Sequence, residues 1–178
     1  MQEGAITLVV EEAAWRTHRG LLPRLRAAAE AARRAARLPA RRRLTILLAG
    51  DARLKALNHD FRGKKKPTNV LSFPSDQAGY AGDVALAYGV TSAEARAAGK
   101  PFADHARHLV VHGVLHLAGY DHRTDRDAKV MEPLEAKILA RLGVPNPWEH
   151  RPGKARSVGT LSPPTPSGRA AKNKAARA

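Results

Sequence analysis

The stretch "HLVVHGVLHLAGYDH", residues 108–122, constrains this chain more than any other. From about residue 103 to 118 nearly every side chain that is not histidine is apolar, so a helix there must be buried almost all round. A helix advances about 100° per residue; with His108 at zero, His112 falls at about 40°, His105 at about 60° and His116 at about 80°. Four imidazoles therefore form one stripe on a helix otherwise made of Leu, Val and Ala. Buried imidazoles need partners. A single divalent ion satisfies several together, and histidines four apart are the usual helical way to give one ion two ligands. Gly119 stands where a left-handed residue ends a helix, so the chain can turn back at once and bring His122 to the same ion. Three protein ligands leave a fourth position open, which is the catalytic rather than the structural pattern. Five of the eight histidines fall within 105–122, which favours a metal site over a pair of satisfied core histidines beside an unrelated loop residue.

The chain has no cysteine. Disulfides are excluded, and any metal site must use nitrogen and oxygen ligands. The spacing H-x3-H-x5-H is also that of the metzincin peptidases, whose first histidine is followed by a glutamate general base. Here that position is Gly113, so peptide hydrolysis would lack its proton acceptor.

Charge points elsewhere. The formal net charge is +15. Arg151, Lys154, Arg156, Arg169, Lys172, Lys174 and Arg177 supply seven of these charges in a segment without Asp or Glu, and eight remain for residues 1–150. Both parts are basic, so the excess is not a property of the tail alone. Such a surface favours a polyanion, most often nucleic acid. No apolar run approaches the ~20 residues that span a bilayer. The N-terminal "MQEGAITLVVEEAAW" is acidic where a signal peptide is basic. The expectation is a soluble cytoplasmic protein that makes no use of a membrane.

At 178 residues, 43% hydrophobic and 4% aromatic, the chain suits one domain with a core of Leu, Val, Ile and Ala. Residues 1–148 are expected to form that domain. Residues 149–178, rich in Pro, Gly, Ser, Lys and Ala without apolar period, are expected to be a disordered basic tail. Strands are expected at 5–10, 43–50, 69–73 and 82–89, and helices over most of 15–38, over 51–60, 91–99, 103–118 and 125–142. Pro23 fits the first turn of its helix. Asp51 and Thr91 are read as N-caps. The elements do not alternate strictly, so the expected class is α+β: a small mixed four-stranded sheet packed with about five helices, the metal-binding helix in the core.

With these segments the chain resembles the YbeY family, bacterial rRNA maturation factors described as metal-dependent endoribonucleases. Residues 108–122 resemble the family signature. "LNHDFRGKKKPTNVLSFP" (57–74) resembles its stretch with an arginine and a T-D-V-L-S-F core, "AGDVALA" (81–87) its G-D-[IV] strand, and "MEPLEAKILARLG" (131–143) its closing helix. The resemblance is close over 43–143, looser over 5–42 and absent from the tail. Asn69 departs from the pattern, which usually has Asp there.

The resemblance implies a zinc-dependent, single-strand-specific endoribonuclease of ribosomal RNA maturation, acting at the 3′ end of the small-subunit RNA and in ribosome quality control. Its partners would be ribosomal RNA and the ribosome or small-subunit precursor. It implies one Zn2+ per chain on His112, His116 and His122, and Arg62 as the functional arginine. Zinc can polarise a phosphoryl oxygen or activate water, and an arginine can grip a phosphate with two parallel hydrogen bonds. Lys64, Lys65 and Lys66 are either contacts for backbone phosphates or a solvated turn. Asp121 either orients an imidazole or is a simple turn carboxylate. Asp83 either faces the cleft or opens a strand, and His108 either lines the site or is a satisfied core histidine. Two other readings stand beside the nuclease: a non-catalytic zinc-containing assembly factor that binds RNA, and a peptidase-like metallohydrolase, which Gly113 disfavours.

Overall fold

The β-rich segments pair into one four-stranded sheet: β1 (Ile6–Val10), β2 (Arg43–Ala49), β3 (Val70–Pro74) and β4 (Tyr80–Ala87). The computed structural model describes residues 5–149. The strand order is β1-β2-β4-β3; β1, β2 and β4 run parallel, and β3 is the antiparallel edge strand beside β4. Five α-helices are described: α1 (Leu21–Ala35), α2 (Asp51–Arg62), α3 (Tyr88–Ala97), α4 (Phe102–Leu117) and α5 (Asp125–Arg141). A 3-10 turn covers Ala13–Thr17. The class is α+β with a mixed sheet, as expected. The tail expected over 149–178 lies outside the described residues from position 150 onward.

Side chains alternate across a strand, so each strand feeds two cores. Leu44, Ile46 and Leu48 of β2, with Val84 and Leu86 of β4, meet α1, α4 and α5. Leu47 and Ala49, with Ala85 and Ala87, meet Leu54 and Leu57 of α2 on the opposite face. The core is mostly Leu, Ile, Val and Ala; truncating a fully buried leucine such as Leu109 to Ala would cost about 2–5 kcal/mol. Trp15 is the one fully buried aromatic among the described residues, and its indole N–H donates to the Ala49 carbonyl at 3.0 Å. No helix is long and apolar enough to cross a membrane among the described residues.

Two caps differ from expectation. Strand β4 runs into α3 without a loop, so α3 begins at Tyr88. Thr91 therefore lies inside the helix, its hydroxyl donating back to the Ala87 carbonyl at 2.6 Å. The first turn of α3 is served from outside: the Asp51 carboxylate accepts the Val90 N–H at 3.0 Å. Asp51 is itself the first residue of α2, whose N-cap is Gly50.

Candidate metal centre and active site

Helix α4 is buried over most of its length, and His112 of its imidazole stripe meets Glu135 of α5. The helix ends as the glycine predicts. Gly119 has φ +93°, its N–H donates to the His116 carbonyl at 3.0 Å, and the Tyr120 N–H donates to Leu115 at 3.1 Å. This doubly bonded left-handed ending reverses the chain within three residues. Asp121 then fixes the turn by accepting the His122 backbone N–H at 2.8 Å and pairing with Arg123 at 3.2 Å. Of its two readings, the backbone contact is the one present: Asp121 holds the loop that carries His122.

His112, His116 and His122 come together. One ring nitrogen from each lies within 4.8 Å of the others. His112 Nε2 and His116 Nε2 stand 3.1 Å apart, close to the ~3.3 Å that separates two nitrogens bound to one tetrahedral zinc at about 2.05 Å each. The third ring offers a buried Nε2 with no hydrogen-bond partner. Burial, then the neighbouring imidazoles, pushes His116 down to about 3, and burial lowers His122 as well. Neutral rings with inward lone pairs are what a divalent metal requires. The three residues fit such an ion.

A fourth residue, missing from the sequence reading, completes the centre. Glu135 of α5 is 1% exposed, and its carboxylate accepts the His112 Nδ1–H at 2.8 Å. A carboxylate only accepts, so His112 must carry its proton on Nδ1 and turn the Nε2 lone pair into the triad. Burial works to raise the Glu135 carboxyl, but His112 and His108 outweigh it and hold the group well below the usual carboxylate range. His108 lies behind the triad, with Nε2 3.3 Å from Glu135, and burial keeps its ring below the ordinary histidine value. His108, His112 and Glu135 make a second, fully buried set of metal-capable groups sharing His112. A sequence signal existed: Glu135 sits on the apolar stripe of α5 with Met131, Ile138 and Leu139.

His105 and Asn69 belong to a separate network. His105 Nε2 is 2.8 Å from Glu94, and the Asn69 amide donates to both Glu94 oxygens at 3.0 and 3.2 Å. The residue that departs from the family pattern is thus a buried donor facing a carboxylate.

Gly113 explains the absent glutamate. A Cβ there would stand 2.5 Å from a Val84 methyl group, and the Gly113 carbonyl accepts the Ser72 hydroxyl at 3.2 Å. Position 113 packs against the sheet and has no room for any side chain, which leaves the peptidase-like reading without a general base at that place.

The remaining sequence candidates divide. Arg62 ends α2 rather than opening a loop; it is half-buried, and burial, then the like charge of Arg123, lowers its guanidinium. Lys64, Lys65 and Lys66 are exposed in the following loop, which the Asn58 amide anchors by donating to the Lys66 carbonyl at 2.9 Å. Asp83 is not brought to the triad. It alternates with Val84, whose side chain meets α4, and so faces the other side of the sheet, where the Tyr80 hydroxyl donates to it.

Comparison with known proteins agrees with this geometry. The family model described as "Endoribonuclease YbeY" matches residues 13–143. The chain is 51% identical over 120 residues to an endoribonuclease YbeY of Jannaschia sp. (strain CCS1), covering 59% of this chain and 75% of the relative. It is 49% identical over 122 residues to that of Paracoccus denitrificans (strain Pd 1222), covering 60% and 70%. The solution structure of TM1509 from Thermotoga maritima superposes with a TM-score of 0.57 at 27% identity, covering 77% of this chain and 88% of that one.

Proposed function

The chain belongs to the YbeY endoribonuclease family, and from that premise we propose that it is a zinc-dependent, single-strand-specific endoribonuclease. Its work is maturation of ribosomal RNA at the 3′ end of the small-subunit RNA, and ribosome quality control, in the cytoplasm. Its partners are ribosomal RNA and the ribosome or its small-subunit precursor. The observation that carries this reading is the convergence of His112, His116 and His122, one ring nitrogen of each within 4.8 Å of the others.

These three residues would hold one Zn2+, which supplies Lewis acidity toward a phosphoryl oxygen or water. The chain's own groups do the rest. Glu135 keeps the His112 proton on Nδ1. Asp121 holds the turn that presents His122. Arg62 grips the non-bridging oxygens of the phosphate and stabilises the charge that grows on them. Lys64, Lys65 and Lys66 attract the backbone phosphates on either side, and the seven basic residues of 151–178 add attraction without sequence preference.

The test is zinc-reconstituted protein on single-stranded RNA and on the same sequence in a duplex, beside His116→Ala. The expected result is about one zinc per chain, cleavage of the single strand only, and loss of both zinc and cleavage in the variant. Full zinc occupancy in His116→Ala would refute the ligand set. A zinc-loaded protein that binds RNA and leaves it intact would instead be a non-catalytic assembly factor.

A further inference from the structure

Phe61 is the only aromatic among the exposed large hydrophobic side chains of the described residues, at 43% exposure. Leaving so large a ring in water forgoes the stabilisation that burial would bring, and a partner that covers it recovers that term. The ring is held rather than loose. Phe73 of β3 meets it edge to face, with centroids 5.3 Å apart and planes at 73°. It is also the last uncharged side chain before a run of cations: Arg62 follows, then Gly63 with φ +62°, then three exposed lysines.

The pair of rings is tied to the histidine helix through β3. Ser72, next to Phe73, donates to the Gly113 carbonyl beside His112. An exposed ring fixed by a second ring, flanked by cations, offers one partner both of its features: a polyanion with free planar faces. Nucleotides of a single strand have such faces, whereas bases in a duplex are already stacked.

We infer that Phe61, buttressed by Phe73, is a stacking platform for one unpaired nucleobase of RNA, adjacent to the phosphate held at Arg62. This rests on the nuclease reading and adds to it a physical source of single-strand preference. It is a binding subsite and takes no part in proton or phosphoryl transfer. An anionic membrane also suits cations beside an exposed Phe, but membrane-surface helices present a broad apolar face, and here one braced ring stands alone among charges.

The test uses the full chain and equilibrium anisotropy with a ten-nucleotide uridine oligomer and an abasic oligomer of the same length. Wild type should prefer the base-bearing oligomer. Phe61→Ala and Phe61→Leu should lose about tenfold in affinity for it, the order expected for one stacked base, and Phe61→Trp should keep it. Affinity for the abasic oligomer should match wild type in every variant, and the salt dependence should be unchanged because no charge is removed. Equal losses on both oligomers, or no loss on either, overturns the inference while leaving the nuclease reading standing. Failure of wild type to bind either oligomer overturns both. Phe61-dependent sedimentation with vesicles of phosphatidylserine and phosphatidylcholine, without base discrimination, reassigns the face to a membrane and overturns the inference.

Discussion

The Glu135 carboxylate lies 2.8 Å from His112 Nδ1 in a region where neither residue exposes more than 3% of its surface. This contact joins α5 to the histidine helix and decides which nitrogen of His112 faces the triad. Glu135→Gln should therefore weaken zinc binding about 10–100-fold, the usual consequence of losing a carboxylate behind a ligating imidazole. Chelator competition measures it without any assay of RNA cleavage. Glu135→Ala should also lower stability by about 1–3 kcal/mol, because a buried imidazole N–H loses its acceptor. Wild-type zinc affinity in both variants would mean that Glu135 is only a packing residue.

Gly113 gives a prediction about stability alone. Alanine should gain about 1 kcal/mol of helix propensity over glycine. The clash of its Cβ with Val84 should exceed that gain, leaving Gly113→Ala destabilised by up to about 2 kcal/mol. The pair with Val84→Ala should be strongly non-additive, since the second change removes the atoms that clash. Urea denaturation of the four proteins in the cycle checks this, and additive losses would refute the packing account.

Arg62→Ala should leave zinc content and folding intact while cutting turnover on single-stranded RNA by about 100-fold or more, as when one stabilising donor is removed from a transition state. Lysine keeps the charge but lacks the planar fork, so Arg62→Lys should rescue only in part. Elemental analysis and single-turnover cleavage separate the two effects. Loss of zinc in Arg62→Ala would show that the residue shapes the centre rather than the substrate.

Asn69→Asp, which restores the residue usual in the family, should be harmful here. It replaces the amide that donates to Glu94 with a second carboxylate on the same partner. Like charges so close raise the pKa of one member of the pair in the folded state. A carboxyl whose folded pKa is raised loses stability as pH rises above the unfolded value. The penalty should therefore be small near pH 4 and reach about 1–2 kcal/mol by pH 7. Comparing wild type and variant by denaturation at both pH values tests the sign. A penalty of equal size at pH 4 and pH 7 would exclude charge repulsion as its cause.

The local parts of this protein are legible in its sequence alone. Helical period alone puts His108, His112 and His116 on one stripe, and Gly119 alone ends the helix so that His122 can return. Strand alternation in β2 is likewise local, and so is the composition of the core. Tertiary structure decided everything that depends on which distant segments meet. Glu135 lies 23 residues from His112, and only the packing of α5 on α4 makes it the partner of His112 and His108. Asp51 caps a helix that begins 37 residues later, and Thr91 loses its capping place because β4 enters α3 without a loop. Asp83 and Val84 are neighbours in sequence, yet the sheet sends one away from the histidine helix and the other against Gly113. Periodicity is a property of the backbone and is written every few residues. Pairing between elements is set by long-range burial, which no short window of sequence contains.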